Sequence, residues 1–129
     1  LHDALARTDY LVLACPLTDE TRGLIDEAAL VTLPPDAVLV NIARGKVVET
    51  DDLVAALRRD RIGGAALDVT DPEPLPEDHP LWNFENVMIT PHNAGHTPEY
   101  YARLADIVAG NVERVAGTGA DDHLDNRVA

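Results

Sequence analysis

The sequence predicts an α/β fold built around a parallel sheet of about four strands with flanking helices. Four short apolar runs carry this prediction, at residues 10–14, 37–43, 64–69 and 86–90. The runs are near-continuous rather than alternating, which is typical of strands buried on both faces of a parallel sheet. Segments with helix signals separate them, and such alternation favours right-handed crossovers and parallel pairing.

The first helical segments are short. Helix-like sequence opens the chain at residues 1–8, before the first apolar run. A second helix is predicted from about Asp26 and ends before Pro34 and Pro35. Proline stops a helix because it lacks an amide hydrogen and clashes with the preceding turn.

The segment between the second and third runs predicts a longer helix. Thr50 is in position to cap its N-terminus, acids occupy its first turn, and arginines occupy its last turn. This charge distribution agrees with the helix dipole at both ends. Gly63 and Gly64 follow the helix and favour its termination.

After the last run, the sequence predicts a helix with Thr97 as N-cap, Pro98 in its first position and Gly117 as its stop. Five residues at three- and four-residue spacing give it one apolar face: Tyr101, Leu104, Val108, Val112 and Val115. Residues 1–117 are assigned to one domain, and residues 118–129 are expected to form a loose polar tail.

The composition excludes several classes of protein. The 129 residues are 46% hydrophobic and 26% charged, which is typical of a folded globular domain rather than a disordered chain. No apolar run approaches the roughly 20 residues that span a bilayer, and no secretory signal opens the chain. Cys15 is the single cysteine, so no internal disulfide forms, and a reducing cytoplasm is the expected location.

The charge is strongly acidic. Asp and Glu number 23 against 10 Lys and Arg, a formal net charge of −13. Such a surface repels nucleic acid and anionic membrane, so neither is an expected partner. Two interpretations are open, a plainly solvated acidic surface and adaptation to high salt. The second is favoured, because the acids are scattered along the chain rather than gathered in one tail.

The residues best suited to catalysis or ligand binding follow the predicted strands. Arg44 follows the second run, Asp68 lies near the end of the third with Glu73 beyond it, and His92 follows the fourth. Ligands of open parallel sheets bind at the carboxyl ends of the strands, so these side chains are expected at one edge.

Three of these residues suit acid–base chemistry on an anionic substrate. A carboxylate such as Glu73 stabilises the imidazolium form of a neighbouring histidine such as His92. The planar guanidinium of Arg44 suits a substrate carboxylate bound by two hydrogen bonds. Each residue also has an ordinary alternative: a loop histidine, a solvated acid and a salt-bridge arginine.

The sequence gives weaker support for two other kinds of site, a metal site and a nucleophilic cysteine. His79, His92 and His96 with nearby acids could ligate a metal, but no compact spacing such as H-E-x-x-H occurs, and no metal site is predicted. Cys15 precedes Pro16 and has no basic neighbour in sequence, so packing at a strand end is favoured over a nucleophilic role. Trp82 is expected to anchor its loop against the sheet.

Four segments together resemble a known family. "CPLTDETRGLI", "VNIARGKVVETDDLVAAL", "GGAALDVTDPEPLPEDHPLW" and "NVMITPHNAGHT" are similar, in order and spacing, to the signatures of the D-isomer-specific 2-hydroxyacid dehydrogenases. The resemblance covers nearly the whole chain. It implies half of a doubly wound, Rossmann-type parallel sheet, so that residues 1–117 are the carboxyl-terminal half of a NAD(P)-binding domain. Residues 118–129 would lead back to the substrate domain.

The resemblance also implies roles. Arg44 matches the residue that binds the substrate carboxylate and carbonyl, His92 matches the acid–base histidine, and Glu73 matches its partner. Asp68 matches the position that hydrogen-bonds the nicotinamide carboxamide. Four further positions match segments that line the dinucleotide: Pro16, Thr21, Ile42 and Gly95.

The implied reaction is hydride transfer between NAD or NADP and C2 of a 2-hydroxy or 2-oxo acid. Glyoxylate, hydroxypyruvate, pyruvate and phosphohydroxypyruvate all remain open as substrates. The full-length protein is expected to be a homodimer. Two alternatives are a nicotinamide-sensing binding protein that recruits partners without catalysis, and a plain α/β interaction domain.

Two departures from the family matter. Asn93 and His96 stand where an apolar and a small residue are more usual. No G-x-G-x-x-G occurs, nor the acidic residue that follows it and distinguishes NAD from NADP. The sequence is therefore interpreted as a fragment, and the isolated chain is expected to be inactive.

Overall fold

A computed structural model describes residues 1–118 and 124–126 of the chain. The elements in chain order are α1 (His2–Leu5), β1 (Tyr10–Leu13), α2 (Glu27–Thr32), β2 (Val38–Asn41), α3 (Thr50–Arg58), β3 (Gly64–Leu67), β4 (Val87–Ile89) and α4 (Tyr100–Thr118). Short 3-10 helices lie at Gly45–Val47 and Pro80–Asn83. The described residues divide into two compact units, one of Leu1–Ala94 and one that begins at Gly95.

The first unit holds the sheet. Its four strands are all parallel and follow the order β1-β2-β3-β4. In register, Asn41 at the end of β2 lies beside Leu67 at the end of β3. The predicted α/β fold and its four strands are therefore confirmed, with each strand shorter than its apolar run.

One face of the sheet carries the core. Side chains on that face of the strands, among them Leu39 and Leu67, pack with the buried faces of α2 and α3. The largest side chains that are fully buried in this core are Leu5, Ile25, Leu30, Leu39, Leu53, Ile62 and Leu81. Each right-handed crossover adds the next strand on the same side of the last, so the connections gather on one face.

The other face of the sheet is open in the described part of the chain. Tyr10, Val12 and Met88 on this face are 71%, 55% and 65% exposed. The expectation that the strands are buried on both faces is wrong for these residues. Within residues 1–94 the strand order does not reverse, so the crossovers of this segment do not cover the second face.

Local sequence decides one helix start and tertiary contacts decide another. Asp26 caps α2, since its Oδ1 accepts a hydrogen bond from the Ala29 amide at 2.9 Å. At α3 the predicted cap is wrong. Glu49 occupies the N-cap position, and the Thr50 hydroxyl instead donates to the Asp71 carbonyl at 2.9 Å.

The second unit is dominated by α4. This helix begins at Tyr100, two residues after Pro98, and continues past Gly117 to Thr118. Its five predicted apolar residues are all exposed. In the tail, residues 119–123 and 127–129 lie outside the described residues, whereas Asp125 accepts a hydrogen bond from Arg114 at 2.8 Å. No helix in the described ranges is long and apolar enough to cross a bilayer.

Candidate active site

The candidate site lies in the first unit, in the loops that leave the carboxyl ends of β2, β3 and β4. Parallel strands present these ends at the same edge, so residues far apart in sequence meet there. The loop after β4 carries His92, and the loop after β3 carries Glu73. His92 Nδ1 lies 2.7 Å from Glu73 Oε1, which is the length of a charge-assisted hydrogen bond.

This pair is open to solvent, with side-chain exposures of 46% for His92 and 42% for Glu73. Glu73 engages Nδ1, whereas Nε2 has no hydrogen-bond partner among residues 1–118 and 124–126. The backbone of His92 has φ of 52°, in the left-handed region that residues with a side chain rarely adopt. The ring is therefore presented by a locally unfavourable loop conformation.

The side chain of Asp68 binds the loop that carries His92. It is 6% exposed, and its carboxylate accepts hydrogen bonds from the Thr90 hydroxyl at 2.5 Å and from the amides of Asn93 and Ala94 at 2.9 Å each. Burial by itself raises the pKa of the Asp68 carboxyl. The hydrogen bonds from Thr90, Ala94 and Asn93, with the charge of His92, outweigh burial and lower that pKa below its ordinary 3.8.

A second buried polar side chain shapes the turn after β2. Asn41 is 1% exposed, and its side chain accepts from the Ala43 amide and donates to the Arg44 carbonyl, both at 3.0 Å. The exposed guanidinium of Arg44 donates to the Ala43 carbonyl at 2.6 Å. Within residues 1–118 and 124–126 it forms no ion pair with an acid and no hydrogen bond to Glu73 or His92.

The Arg44 turn is nevertheless packed tightly against the loop that leads to Glu73. A Cβ placed on Gly45 would lie 2.0 Å from the Thr70 carbonyl oxygen, so the two backbones touch where any side chain would intrude. The hydrogen bond from Thr50 to Asp71 reinforces this contact. The positions of the two loops are therefore coupled.

The predicted cofactor residues fall into three groups. Ile42 and Asp68 share a small depression of about 90 Å³ with Met88. Thr21 donates a hydrogen bond from its hydroxyl to the Pro16 carbonyl at 2.7 Å. Gly95 begins the second unit and has open space around its α-carbon, since a Cβ there would meet nothing within 4 Å.

A larger cavity of about 480 Å³ lies beside His92 and Glu73. Half of its ten lining residues are apolar: Pro74, Leu75, Trp82, Ile89 and Pro91. Trp82 is half exposed, and its indole donates to the Pro76 carbonyl at 2.8 Å, so it holds its own loop together.

Neither Asn41 nor Thr90 was predicted from the sequence to have a role in the site. Asn41 interrupts an otherwise apolar strand, and a buried amide must find hydrogen-bond partners, so this signal was present. Thr90 offers no comparable signal, because its partner is 22 residues away. Three or more metal-ligating side chains do not cluster anywhere in the described residues, and His79 instead accepts from the Leu81 amide at 3.3 Å.

Residues 1–94 match the family described as D-isomer specific 2-hydroxyacid dehydrogenase, NAD binding domain. The chain belongs to this family. A glyoxylate reductase from Aeropyrum pernix is 45% identical over 127 residues, which are 98% of this chain and 38% of that protein.

Solved structures of dehydrogenases agree with this assignment. A D-isomer specific 2-hydroxyacid dehydrogenase from Xanthobacter autotrophicus Py2, in complex with NADPH and MES, superposes with a TM-score of 0.88 and 39% identity. The match covers 100% of this chain and 51% of that chain. A D-lactate dehydrogenase from Sporolactobacillus gives a TM-score of 0.87 and 36% identity over 99% of this chain and 42% of that chain. This chain therefore spans between about a third and a half of the dehydrogenases it matches.

Proposed function

We propose that this chain supplies the acid–base and carboxylate-binding groups of an NAD(P)-dependent oxidoreductase that interconverts 2-oxo and 2-hydroxy acids. The observation that carries the proposal is the 2.7 Å contact between His92 Nδ1 and Glu73 Oε1 at the carboxyl edge of the sheet. The turn bearing Arg44 is packed against the loop that leads to Glu73, which supports a common site.

The pair exchanges a proton with the substrate oxygen. During reduction, His92 donates a proton from Nε2 to the carbonyl oxygen; during oxidation, it removes one from the hydroxyl. Glu73 fixes the orientation of the ring and stabilises the imidazolium by its negative charge.

Arg44 binds the acid group. One of its terminal nitrogens already donates to the Ala43 carbonyl, which fixes the guanidinium while other N–H groups remain available. A planar fork of donors matches the two oxygens of a carboxylate. No acid of the described chain competes for this charge, so a substrate carboxylate is its natural partner.

The residues present fit the nicotinamide end of a dinucleotide. The depression shared by Ile42, Met88 and Asp68 combines apolar walls with a carboxylate. Oδ2 of Asp68 accepts one hydrogen bond, from Ala94, and so retains capacity for a carboxamide N–H. When bound, NAD or NADP would supply the hydride to C2 of a 2-oxo acid or accept it from C2 of a 2-hydroxy acid. Thr21 and Pro16 would line the same cofactor.

The test measures turnover by the protein that carries this chain. Glyoxylate, hydroxypyruvate and pyruvate are offered with NADH and with NADPH, and cofactor oxidation is followed by absorbance. His92→Ala should lower kcat by about 10²–10⁴-fold with little change in cofactor affinity, since general acid catalysis contributes that much. Arg44→Lys should raise KM and lower kcat, because an ammonium cannot form the two-pronged contact.

Matched controls use residues outside the site. His2→Ala and Arg59→Lys alter an exposed histidine and an exposed arginine, and both variants should retain wild-type turnover. Cofactor binding without turnover of any 2-oxo acid would contradict the proposal and favour a nicotinamide-sensing binding protein. Wild-type kinetics in both His92→Ala and Arg44→Lys would contradict the proton-transfer and carboxylate-binding roles of these two side chains.

A further inference from the structure

One carboxylate organises the whole loop that presents the acid–base histidine. The Asp68 carboxylate accepts from the Thr90 hydroxyl and the Asn93 and Ala94 amides, and the Asp68 carbonyl accepts from the His92 amide at 2.9 Å. Four of the five residues at positions 90–94 therefore donate to one residue. These bonds lie on both sides of His92 in sequence, so they fix its backbone from before and after.

His92 needs such support for two reasons. Its backbone conformation is unfavourable, and its ion pair with Glu73 is too exposed to fix the position of the ring. Its φ of 52° is one that residues with a side chain rarely adopt, so surrounding bonds must impose it. Its contact with Glu73 is nearly half exposed, and exposed ion pairs hold geometry poorly. The hydrogen bonds to Asp68 form at a residue that is 6% exposed, where water competes little.

We propose that Asp68, acting with the Thr90 hydroxyl, is a positioning residue that holds His92 against Glu73 for proton transfer. This inference rests on the proposed function and adds to it, because it gives Asp68 a role separate from any contact with cofactor. The two roles are compatible. Oδ1 carries the bonds from Thr90 and Asn93, whereas Oδ2 accepts from Ala94 and has a further lone pair.

Thr90 also lines the depression assigned to the nicotinamide, so cofactor KM, kcat and amide exchange are measured together to separate the two roles. Thr90→Val keeps the shape of the side chain and the Asp68 carboxylate, and removes one donor from the cluster of bonds. Thr90→Ser restores the hydroxyl. The matched control is Thr8→Val, which removes a hydroxyl that donates to the Ala4 carbonyl at 2.8 Å, away from the site.

In the protein that carries this chain, Thr90→Val should lower kcat about 10- to 100-fold, because small displacements of a catalytic group are costly in rate. The KM for NAD(P)H should change by no more than about twofold, while Thr90→Ser and Thr8→Val should keep kcat near wild type. Wild-type kcat in Thr90→Val would overturn the inference. So would a rise in cofactor KM with kcat unchanged, since that pattern places Thr90 in cofactor binding alone.

A second measurement does not depend on turnover. In the full 129-residue chain, hydrogen exchange of the Asn93 and Ala94 amides, followed by NMR, should accelerate at least about tenfold in Thr90→Val and not in Thr8→Val. Unchanged exchange would overturn the inference. If Thr90→Val is unfolded by circular dichroism, Thr90→Ala takes its place with the same expectations. A wild-type protein that reduces no 2-oxo acid contradicts the proposed function, while amide exchange still decides the role of Asp68 and Thr90.

Discussion

Gly45→Ala is the substitution for which the structure yields the clearest magnitude. An added Cβ would lie 2.0 Å from the Thr70 carbonyl oxygen, 2.2 Å from the Thr70 carbonyl carbon and 2.7 Å from the Asp71 nitrogen. Real Cβ contacts under 3.0 Å essentially never occur, so one backbone segment must move by about 1 Å. Backbone cannot rotate aside as the end of a side chain can.

The expected loss is about 3 kcal/mol of unfolding free energy, the upper part of the range for overpacking. The entropy that alanine removes from the unfolded chain offsets only about 0.4–1 kcal/mol of it. Activity should fall as well, by about 10²-fold for a displacement of this size, because the moving segments carry Arg44 and lead to Glu73.

Urea unfolding followed by far-ultraviolet circular dichroism measures the stability change. Gly110→Ala is the matched control, since it makes the same substitution inside α4, where a Cβ meets nothing within 4 Å. That control should stabilise helix α4 by about 0.5–1 kcal/mol. A Gly45→Ala protein within about 0.5 kcal/mol of wild type would refute the argument that the two loops touch through this glycine.

Two further predictions concern the buried polar side chains. Asp68→Asn should destabilise the protein by about 1–3 kcal/mol at neutral pH, since its donors lose a charged acceptor. Because the pKa of Asp68 is lowered, its stabilisation is present above pH 3.8 and is lost as the pH falls through the folded-state pKa. The difference in unfolding free energy between Asp68→Asn and wild type should therefore shrink in acid. Urea titrations across pH measure this difference. Asn41→Leu should cost about 1–3 kcal/mol by leaving the Ala43 amide unpaired, whereas Asn86→Leu, at an exposed site, should cost less in the same assay. A cost for Asn41→Leu no larger than that for Asn86→Leu, or an Asp68→Asn difference that grows in acid, would contradict these assignments.

Much of the fold could be predicted because its signals are local. An apolar run bounded by turn residues is a strand wherever the chain places it, and all four runs became strands. Asp26 caps α2 because the cap and its donor partner are three residues apart. The carboxyl-edge clustering of His92 and Glu73 was also predictable, since strand direction alone decides on which edge a following loop lies.

The predictions that failed depend on what lies across space. The hydroxyl of Thr50 was expected to cap α3, but a carbonyl 21 residues away competes for it and binds it instead. Burial of both sheet faces was expected from apolar strands, yet Val12 and Met88 are exposed. The direction of the strand order decides which face the crossovers cover, and no single strand encodes that order.

In the candidate site, too, some features follow from local sequence and others from contacts across space. By itself, the sequence predicted which residues are candidates for the chemistry and determined at which edge of the sheet they lie, because residue type and strand direction are properties of the chain. Only the tertiary structure decided how they are held. The Asp68 carboxylate meets its Thr90, Asn93 and Ala94 donors across 22 to 26 residues, and Gly45 meets Thr70 across 25. Hydrogen bonds and close contacts of this kind form between groups that no local pattern relates, so they exist only once the strands have paired in register.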